Sequence, residues 1–177
     1  MKKIILSAIA IMALGTAAQA QDEGGFKVGI HAGIPMGDAG DFYSFNAGVD
    51  VAYMFPIADE FLLGVTSGYS YFAGKEFEQT YSPGFGMPAI TVTGPKVNGA
   101  FLPVAAAAKY SLSESFFIGA DLGYALYIGD GEGDGGAYYQ PKVGWQSESI
   151  EVFASYKGIA VEDTSISTIG VGAAYKF

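Results

Sequence analysis

His31 is the only histidine of the chain and the residue best suited to acid–base chemistry. A histidine that acts as a general base needs a serine and an orienting carboxylate within hydrogen-bonding distance. In the sequence, Gly29 and Gly33 flank it two residues away on either side. We therefore predict that His31 is a polar side chain that fills space, and that the protein is not an enzyme.

The glycine-rich segment 129–136 carries carboxylates at alternate positions. This spacing is similar to the start of an EF-hand calcium loop, but such a loop requires a glutamate at its twelfth position, where this chain has Pro141. We predict a solvated acidic loop, and neither a bound metal nor a cofactor. The weak candidates for a divalent cation are Asp130, Glu132 and Asp134.

The composition bears on nucleic-acid binding and on disulfide bonds. The chain is acidic, with a net charge of −9, and it contains no arginine. Nucleic-acid binding requires clustered cations that neutralise phosphates, so nucleic acid is excluded as a partner. Cysteine is absent as well, which rules out a disulfide framework.

The first twenty residues have the three regions of a secretory signal peptide. These are a basic start at Lys2 and Lys3, an apolar stretch from Ile4 to Leu14, and a cleavage site at Ala18 and Ala20. The apolar stretch is too short to span a bilayer as a stable helix. We predict an exported chain with a cleaved signal peptide at residues 1–20 and a single domain at residues 21–177.

Apolar and polar residues alternate with the period of a β-strand through the rest of the chain, between turn residues. The pattern predicts eight strands at about 26–35, 44–55, 61–72, 99–110, 116–128, 137–146, 150–158 and 165–177. Pro103 and Pro141 fall inside strands, where proline removes a hydrogen-bond donor of the ladder. We expect each of them at a bulge or near a rim.

The links between the predicted strands alternate in length. Segments 55–61, 110–116 and 146–150 are short, whereas 36–43, 73–98, 129–136 and 159–164 are longer. Short turns on one side and long loops on the other are typical of an outer-membrane β-barrel with both termini on the periplasmic, short-turn side. Segment 73–98 is expected to form either a hairpin above the membrane or a mobile loop.

All charges of the predicted strands share one face, and apolar side chains occupy the other. A lysine that faces lipid near the bilayer midplane costs about 2–4 kcal/mol, whereas opposite charges can pair inside a narrow barrel. We therefore predict that the apolar face meets lipid. The inward face then forms a polar network in the lumen, made of Lys27, His31, Asp50, Lys109, Asp121, Lys142, Glu151, Lys157 and Lys176.

A soluble barrel is the alternative, and it would place Val49, Leu122 and Val171 at a dry centre. The outward aromatic residues argue against it, because they cluster near the strand ends and leave aliphatic residues in the middle. Two aromatic girdles that flank an aliphatic band are typical of a membrane barrel.

The last predicted strand is apolar at every second position and ends on Tyr175 and Phe177. This ending resembles the C-terminal signal by which the barrel-assembly machinery recognises outer-membrane proteins. Along its whole mature length the chain resembles the small outer-membrane β-barrel family of OmpX-like and OmpA-like proteins. The stretches that carry the resemblance are 101–104, 109–110, 117–123 and 170–177.

The resemblance implies an all-β fold, an eight-stranded antiparallel up-and-down transmembrane β-barrel in the cell outer membrane, reached through the periplasm. No peptidoglycan-binding domain follows the barrel, so a tethering role is not expected. We expect a non-enzymatic monomer that acts in membrane architecture or in surface interaction through its loops. Outer-membrane lipid and lipopolysaccharide are the expected partners, the latter through divalent cations on the acidic loops.

Two other functions remain open at this stage. A small porin-like channel would produce steady conductance steps in planar bilayers, and the many inward glycines leave room for it. An outer-membrane lipid-modifying enzyme would alter lipid A acylation in a way that depends on His31.

Overall fold

The computed structural model describes residues 24–76, 78–81, 90–94, 96–129, 133–161 and 164–177. The predicted signal peptide, with its cleavage site at Ala18 and Ala20, lies outside the described residues. The same applies to Asp130 and Glu132 of the acidic segment.

The described part of the chain is almost entirely β-strand. The elements are β1 (Gly25–Met36), α1 (Asp38–Phe42), β2 (Tyr43–Ala58), β3 (Phe61–Gly74), β4 (Glu78–Tyr81), β5 (Ile90–Thr93), β6 (Gly99–Ser111), β7 (Phe116–Tyr127), β8 (Gly136–Gln146), β9 (Ile150–Val161) and β10 (Thr164–Lys176). Each of the eight predicted strands is present, with ends that differ from the prediction by three residues or fewer. In the described ranges, no helix is both long and apolar enough to cross a membrane.

Eight strands close into a single antiparallel barrel in the order β1-β10-β9-β8-β7-β6-β3-β2. The first and last strands close it, with Val28 opposite Tyr175 and Ala32 opposite Val171. Because each barrel strand pairs with the next one along the chain, the topology is up-and-down, and closure leaves no free sheet edge. The predicted fold class is therefore confirmed.

The remaining strands, β4 and β5, pair with each other as a two-stranded antiparallel sheet between β3 and β6. Of the two expectations for segment 73–98, the structure therefore has the hairpin. Its side chains lie outside the described part of the structure.

The prediction of a long loop at 159–164 is wrong. β9 continues to Val161 and β10 begins at Thr164, and these two residues pair. The strands continue because Ile159 and Ile166 extend the inward apolar alternation, and Ile159 is only 1% exposed. The polar character of the turn had suggested an earlier end. The short helix α1 was also not predicted; it follows Gly37, whose φ of 59° lies in the left-handed region.

Of the two expectations for Pro103 and Pro141, a bulge or a place near a rim, the bulge is wrong. Pairing of β3 with β6 is interrupted at Pro103, and pairing of β8 with β9 at Pro141, but the register is the same on both sides of each gap. Each barrel strand is hydrogen-bonded to a neighbour on both sides. A missing N–H can therefore interrupt the ladder on one side without changing the register. At the first gap, the Ser67 hydroxyl donates a 2.9 Å hydrogen bond to the Pro103 carbonyl.

The two faces of the barrel divide as the alternation predicts. Ile30, Leu122 and Val171 point outward and are 63%, 64% and 62% exposed, whereas Asp121 and Glu151 point inward and are 3% and 5% exposed. Small apolar clusters close the interior towards both ends. Leu62, Met54 and Ala107 lie towards the short turns, and Phe72, Phe101, Ala105, Ala125, Tyr138 and Ile159 lie towards the loops. This arrangement is opposite to that of a soluble barrel.

Candidate functional site in the barrel lumen

The structure places all nine residues of the predicted polar network on the inward face of the barrel. Because that face alternates with the outward face along every strand, their positions follow from strand phase alone. Those that are buried are Lys27, His31, Lys109, Asp121, Glu151 and Lys157, and those that are partly exposed are Asp50, Lys142 and Lys176.

Glu151 joins three strands through one carboxylate. Its Oε1 atom accepts hydrogen bonds from the ammonium groups of Lys27, at 2.6 Å, and Lys109, at 2.7 Å. The Lys109 ammonium also lies 4.9 Å from the centre of the Phe117 ring. Charges removed from water are stable only when they are paired, and here a shared carboxylate and a ring face replace the lost hydration.

Asp121 and Lys142 form a second ion pair on neighbouring strands, β7 and β8. Their Oδ2 and Nζ atoms are 2.6 Å apart, and the lysine also lies 5.3 Å from the centre of the Phe153 ring. The Asp121 side chain is nearly inaccessible, whereas that of Lys142 is about one-fifth exposed. Lys142 is therefore the more accessible partner of this pair.

His31 lies between an aspartate and a serine. Its Nδ1 atom is 2.6 Å from Asp50 Oδ2, and its Nε2 atom is 3.4 Å from Ser70 Oγ. The three residue types and their order match those of a serine-hydrolase triad. The sequence placed the three residues on one face of their strands but did not indicate that they meet.

Lys157 changes what this arrangement can do. Its ammonium lies 2.7 Å from His31 Nε2, closer than the serine hydroxyl, and a protonated lysine can only donate. When Lys157 donates to Nε2, that atom's lone pair is occupied and the Nδ1–H is directed to Asp50. In this state the imidazole cannot accept a proton from Ser70.

Ser70 is also enclosed. It is 1% exposed, and its oxygen accepts hydrogen bonds from Asn46 Nδ2 at 2.9 Å and from Lys157 Nζ at 3.1 Å. Lys157 in turn donates to Asn46 Oδ1 at 3.3 Å. The group is a closed hydrogen-bond network in which the Ser70 hydroxyl already accepts from two donors.

Several uncharged residues of this interior were missed as site residues. Besides Asn46 and Ser70, Gln140 donates to Ser155 Oγ at 3.0 Å and accepts from the Tyr138 hydroxyl at 2.5 Å. Their inward strand positions were a usable signal. The predicted lumen network was chosen by the charge of its side chains. That criterion leaves out the uncharged residues that hydrogen-bond in the same interior.

Side chains of neighbouring strands occupy the space beside several inward glycines. The Phe153 ring lies between Gly144 and Gly172, where an added Cβ would come within 2.8 Å and 2.4 Å of its side chain. The His31 ring occupies the space beside Gly48 in the same way, with an added Cβ 2.6 Å from the ring. Glycines on one strand thus accommodate large side chains of the next.

A cavity of about 70 Å³ lies in the lumen, in the half of the barrel nearer the short turns. It is bordered by both ion-pair groups described above, those of Glu151 and Asp121, and by Asp50. A space of this size holds a few water molecules at most. Met54 and Ala107 of the short-turn cluster line it directly.

The weak cation candidates gain no support from the structure. Asp134 is exposed, and its two companions lie in the undescribed segment. Within the described ranges, no three or more side chains of histidine, cysteine, aspartate or glutamate come together as metal ligands.

The C-terminal residues lie at the short-turn end of the closing strand. The Phe177 N–H donates to the Phe26 carbonyl at 3.0 Å, and the Phe177 ring is 5.9 Å from that of Phe26 and 4.9 Å from that of Tyr175. Both predicted signal residues point outward and are about half exposed. They form part of an aromatic belt at this end of the barrel.

Solved structures include barrels that resemble this chain. Ail, the attachment invasion locus protein of Yersinia pestis, has a TM-score of 0.50 and 14% sequence identity, over 89% of this chain and 100% of Ail. The N-terminal β-barrel domain of Pseudomonas aeruginosa OprF has a TM-score of 0.46 and 15% identity, over 88% of this chain and 100% of the domain. The likeness to Ail confirms the predicted fold, that of a small OmpX/OmpA-like barrel. No protein-family model matches the sequence, and neither does any curated protein.

Proposed function

We propose that this protein is an integral β-barrel of the outer membrane, with its charged network enclosed in the lumen and its long loops outside the cell. The observation that carries the proposal is the exposure of large apolar side chains around the whole circumference. Every barrel strand contributes to this surface, for example through Ile30, Val49, Val65, Val104, Leu122, Val143, Val152 and Val171. A surface of this kind is stable against hydrocarbon and unstable in water.

The dimensions of the barrel support this placement. A tilted strand needs about 9–11 residues to cross the hydrocarbon core. The barrel strands here range from 11 residues in β8 to 16 in β2. Exposed aromatic residues lie near both ends, such as Phe116 and Trp145 towards the short turns and Tyr69 and Tyr124 towards the loops.

The orientation follows from the connections. The turns after β2, β6 and β8 are short and share an end of the barrel with both described termini. In bacterial outer-membrane barrels the short turns are periplasmic. The helix α1, the strands β4 and β5, and the described ends of the link between β7 and β8 then face the outside.

We assign the protein a non-enzymatic role in membrane architecture or in surface interaction through these loops, as a monomer among outer-membrane lipids and lipopolysaccharide. Delivery by the barrel-assembly machinery accounts for the aromatic ending at Tyr175 and Phe177. One observation favours an enzyme instead, the proximity of His31, Asp50 and Ser70. The lysine on His31 Nε2 and the burial of Ser70 weigh against it.

Heat-modifiable gel migration of protein refolded in detergent tests the membrane assignment. We expect the unboiled form to migrate faster than the boiled form, because a closed barrel stays folded in the gel. Leu122→Lys should weaken insertion into lipid vesicles by about 2–4 kcal/mol, since a charge would face hydrocarbon. Glu148→Lys, in an exposed turn, is the matched control and should insert normally. A protein that folds in buffer without detergent would overturn the proposal.

A further inference from the structure

One buried group of the lumen carries more positive than negative charge. Lys27 and Lys109 both donate to a single oxygen atom of Glu151, and the three residues are 6%, 4% and 5% exposed. Two ammonium groups and one carboxylate leave an excess of one positive charge. A buried charge without compensation is strongly unfavourable in a protein interior.

The other charged groups in the middle of the lumen are balanced. Asp121 and Lys142 form a neutral pair at 2.6 Å. Asp50, His31 and Lys157 form a chain of hydrogen bonds. In the contact between His31 and Lys157 one nitrogen donates and the other accepts, so the two side chains share one positive charge, which Asp50 offsets. Neither group has a negative charge to spare.

The remaining carboxylates lie in water. In the part of the chain that the structure describes, every aspartate and glutamate other than Asp50, Asp121 and Glu151 is exposed. Salt screens the field of such exposed charges over about 8–10 Å. Lys176, at the short-turn end, is partly exposed and lies outside the lining of the cavity. The excess charge of the Glu151 group therefore has to be balanced locally.

The cavity of about 70 Å³ lies beside this group, and Lys27, Lys109 and Glu151 all border it. An ammonium group has three N–H donors, and Glu151 accepts one from each lysine, so donors remain for a ligand in the cavity. Much of the other lining is apolar, including Met54 and Phe117. The cavity thus combines two partly used cationic donors with walls that offer them few acceptors.

We infer that this cavity binds one small monovalent anion of the size of chloride, which accepts hydrogen bonds from Lys27 and Lys109 and balances the excess charge. The charge to be balanced is one unit, and a space that holds a few water molecules excludes large anions. Asp50 and Asp121 also border the cavity, but each belongs to a balanced group. The inference goes beyond the proposed membrane location, because it assigns a ligand to the interior.

The chloride dependence of stability tests the inference. The barrel is refolded in phosphatidylcholine vesicles, so that the ion enters before closure, and urea unfolding is compared in sodium chloride and sodium gluconate at constant ionic strength. Gluconate is too large for the cavity. Above the dissociation constant of the site, each tenfold rise in chloride should raise the folded-to-unfolded ratio about tenfold, because one ion binds the folded state alone.

Crystals grown in sodium bromide locate the ion. Bromide scatters anomalously at its absorption edge, whereas water gives no such signal. We expect one anomalous peak in the cavity, within hydrogen-bonding distance of the Lys27 and Lys109 ammonium groups. Ordered density there without an anomalous signal would show that water fills the cavity, and it would overturn the inference.

Matched lysine substitutions separate the interior from the surface. Lys27→Gln leaves Lys109 and Glu151 as a neutral pair, so the chloride dependence and the bromide peak should both disappear. Lys96→Gln removes the same charge from a side chain that is 57% exposed, and both signals should remain. Each variant is first checked for its heat-dependent gel shift. If Lys27→Gln does not fold, Lys109→Gln makes the same test from the other lysine.

The outcomes are distinct. Equal stability in chloride and gluconate would overturn the site. A chloride dependence that Lys27→Gln retains would also overturn it, since the anion would then act at the surface. If the chain folds without lipid, contrary to the proposed location, the same comparison is made in buffer, so that the two results stay separate.

Discussion

At the scale of single residues, the interior depends on carboxylates shared among lysines. Glu151 is the clearest case, because one of its oxygen atoms accepts from both Lys27 and Lys109, and all three side chains are buried. Two ammonium groups held this close would repel each other without the carboxylate between them. The stability of this part of the barrel therefore depends on the charge at position 151.

Glu151→Gln should destabilise the barrel by about 3–5 kcal/mol, because the amide preserves the shape but leaves two buried ammonium groups without a counter-charge. Urea unfolding in lipid vesicles, followed by the fluorescence of Trp145, measures the change. Glu148→Gln in the exposed turn is the control and should have little effect. An equal effect of the two substitutions would show that the shared carboxylate is not needed.

At the scale of elements, adjacent strands fit together through glycines and rings. Phe153 of β9 is opposite Gly144 of β8 on one side and Gly172 of β10 on the other. A Cβ at position 172 would lie 2.4 Å from the Phe153 ring and 3.0 Å from the Ile30 carbonyl. Pairs of this kind let a narrow barrel contain large side chains while keeping its ladders intact.

Gly172→Ala should cost about 1–3 kcal/mol through overpacking against the Phe153 ring. The double variant with Phe153→Leu should recover part of this loss, since the shorter side chain leaves space for the new methyl group. A double-mutant cycle on the free energy of unfolding in vesicles measures the coupling between the two positions. Additive effects of the two substitutions would contradict a direct steric contact.

The closing strand carries a prediction about assembly. Phe177→Ser should lower the amount of barrel in the outer membrane, because the proposed assembly signal is the aromatic C-terminal strand, which a partner can recognise by β-augmentation. The same variant should refold in detergent nearly as well as the original chain, since the Phe177 N–H that donates to Phe26 is a backbone group. Comparing cell fractions with refolded protein separates the two steps. Normal assembly in cells would contradict the assigned signal.

At the scale of the whole molecule, the interior is filled rather than open. Apolar clusters lie towards both ends, hydrogen-bonded groups occupy the middle, and a cavity of about 70 Å³ lies in the half nearer the short turns. An ion that crossed this path would have to displace buried, paired charges. The porin-like alternative therefore has no support from the described interior.

In planar bilayers we expect the protein to produce no steady single-channel steps. The double variant Phe72→Ala and Phe101→Ala removes bulk from the loop-end apolar cluster. Its conductance should become detectable only if the charged groups in the middle of the lumen also rearrange. We therefore expect this variant to remain closed. Steady steps from the original chain would overturn the non-channel assignment.

The sequence by itself determined the strand positions, the faces and the closed topology. Alternation is a local property of strands, and the cost of a charge in lipid decides which face is outside, so Lys109 and Tyr110 could be phased without coordinates. The prediction failed where local signals conflict. The segment 159–164 is the example: it was predicted as a long link, although Ile159 and Ile166 continue the strands.

Only the tertiary structure decided which inward residues meet. Asp50, His31, Ser70 and Lys157 come from four strands, and their contacts depend on the register and curvature of the closed barrel rather than on spacing along the chain. The same applies to the inward glycines. They have no side chain, and rings from neighbouring strands occupy the space that this leaves. Local alternation is encoded one strand at a time, whereas the packing of a lumen exists only once all eight strands have closed.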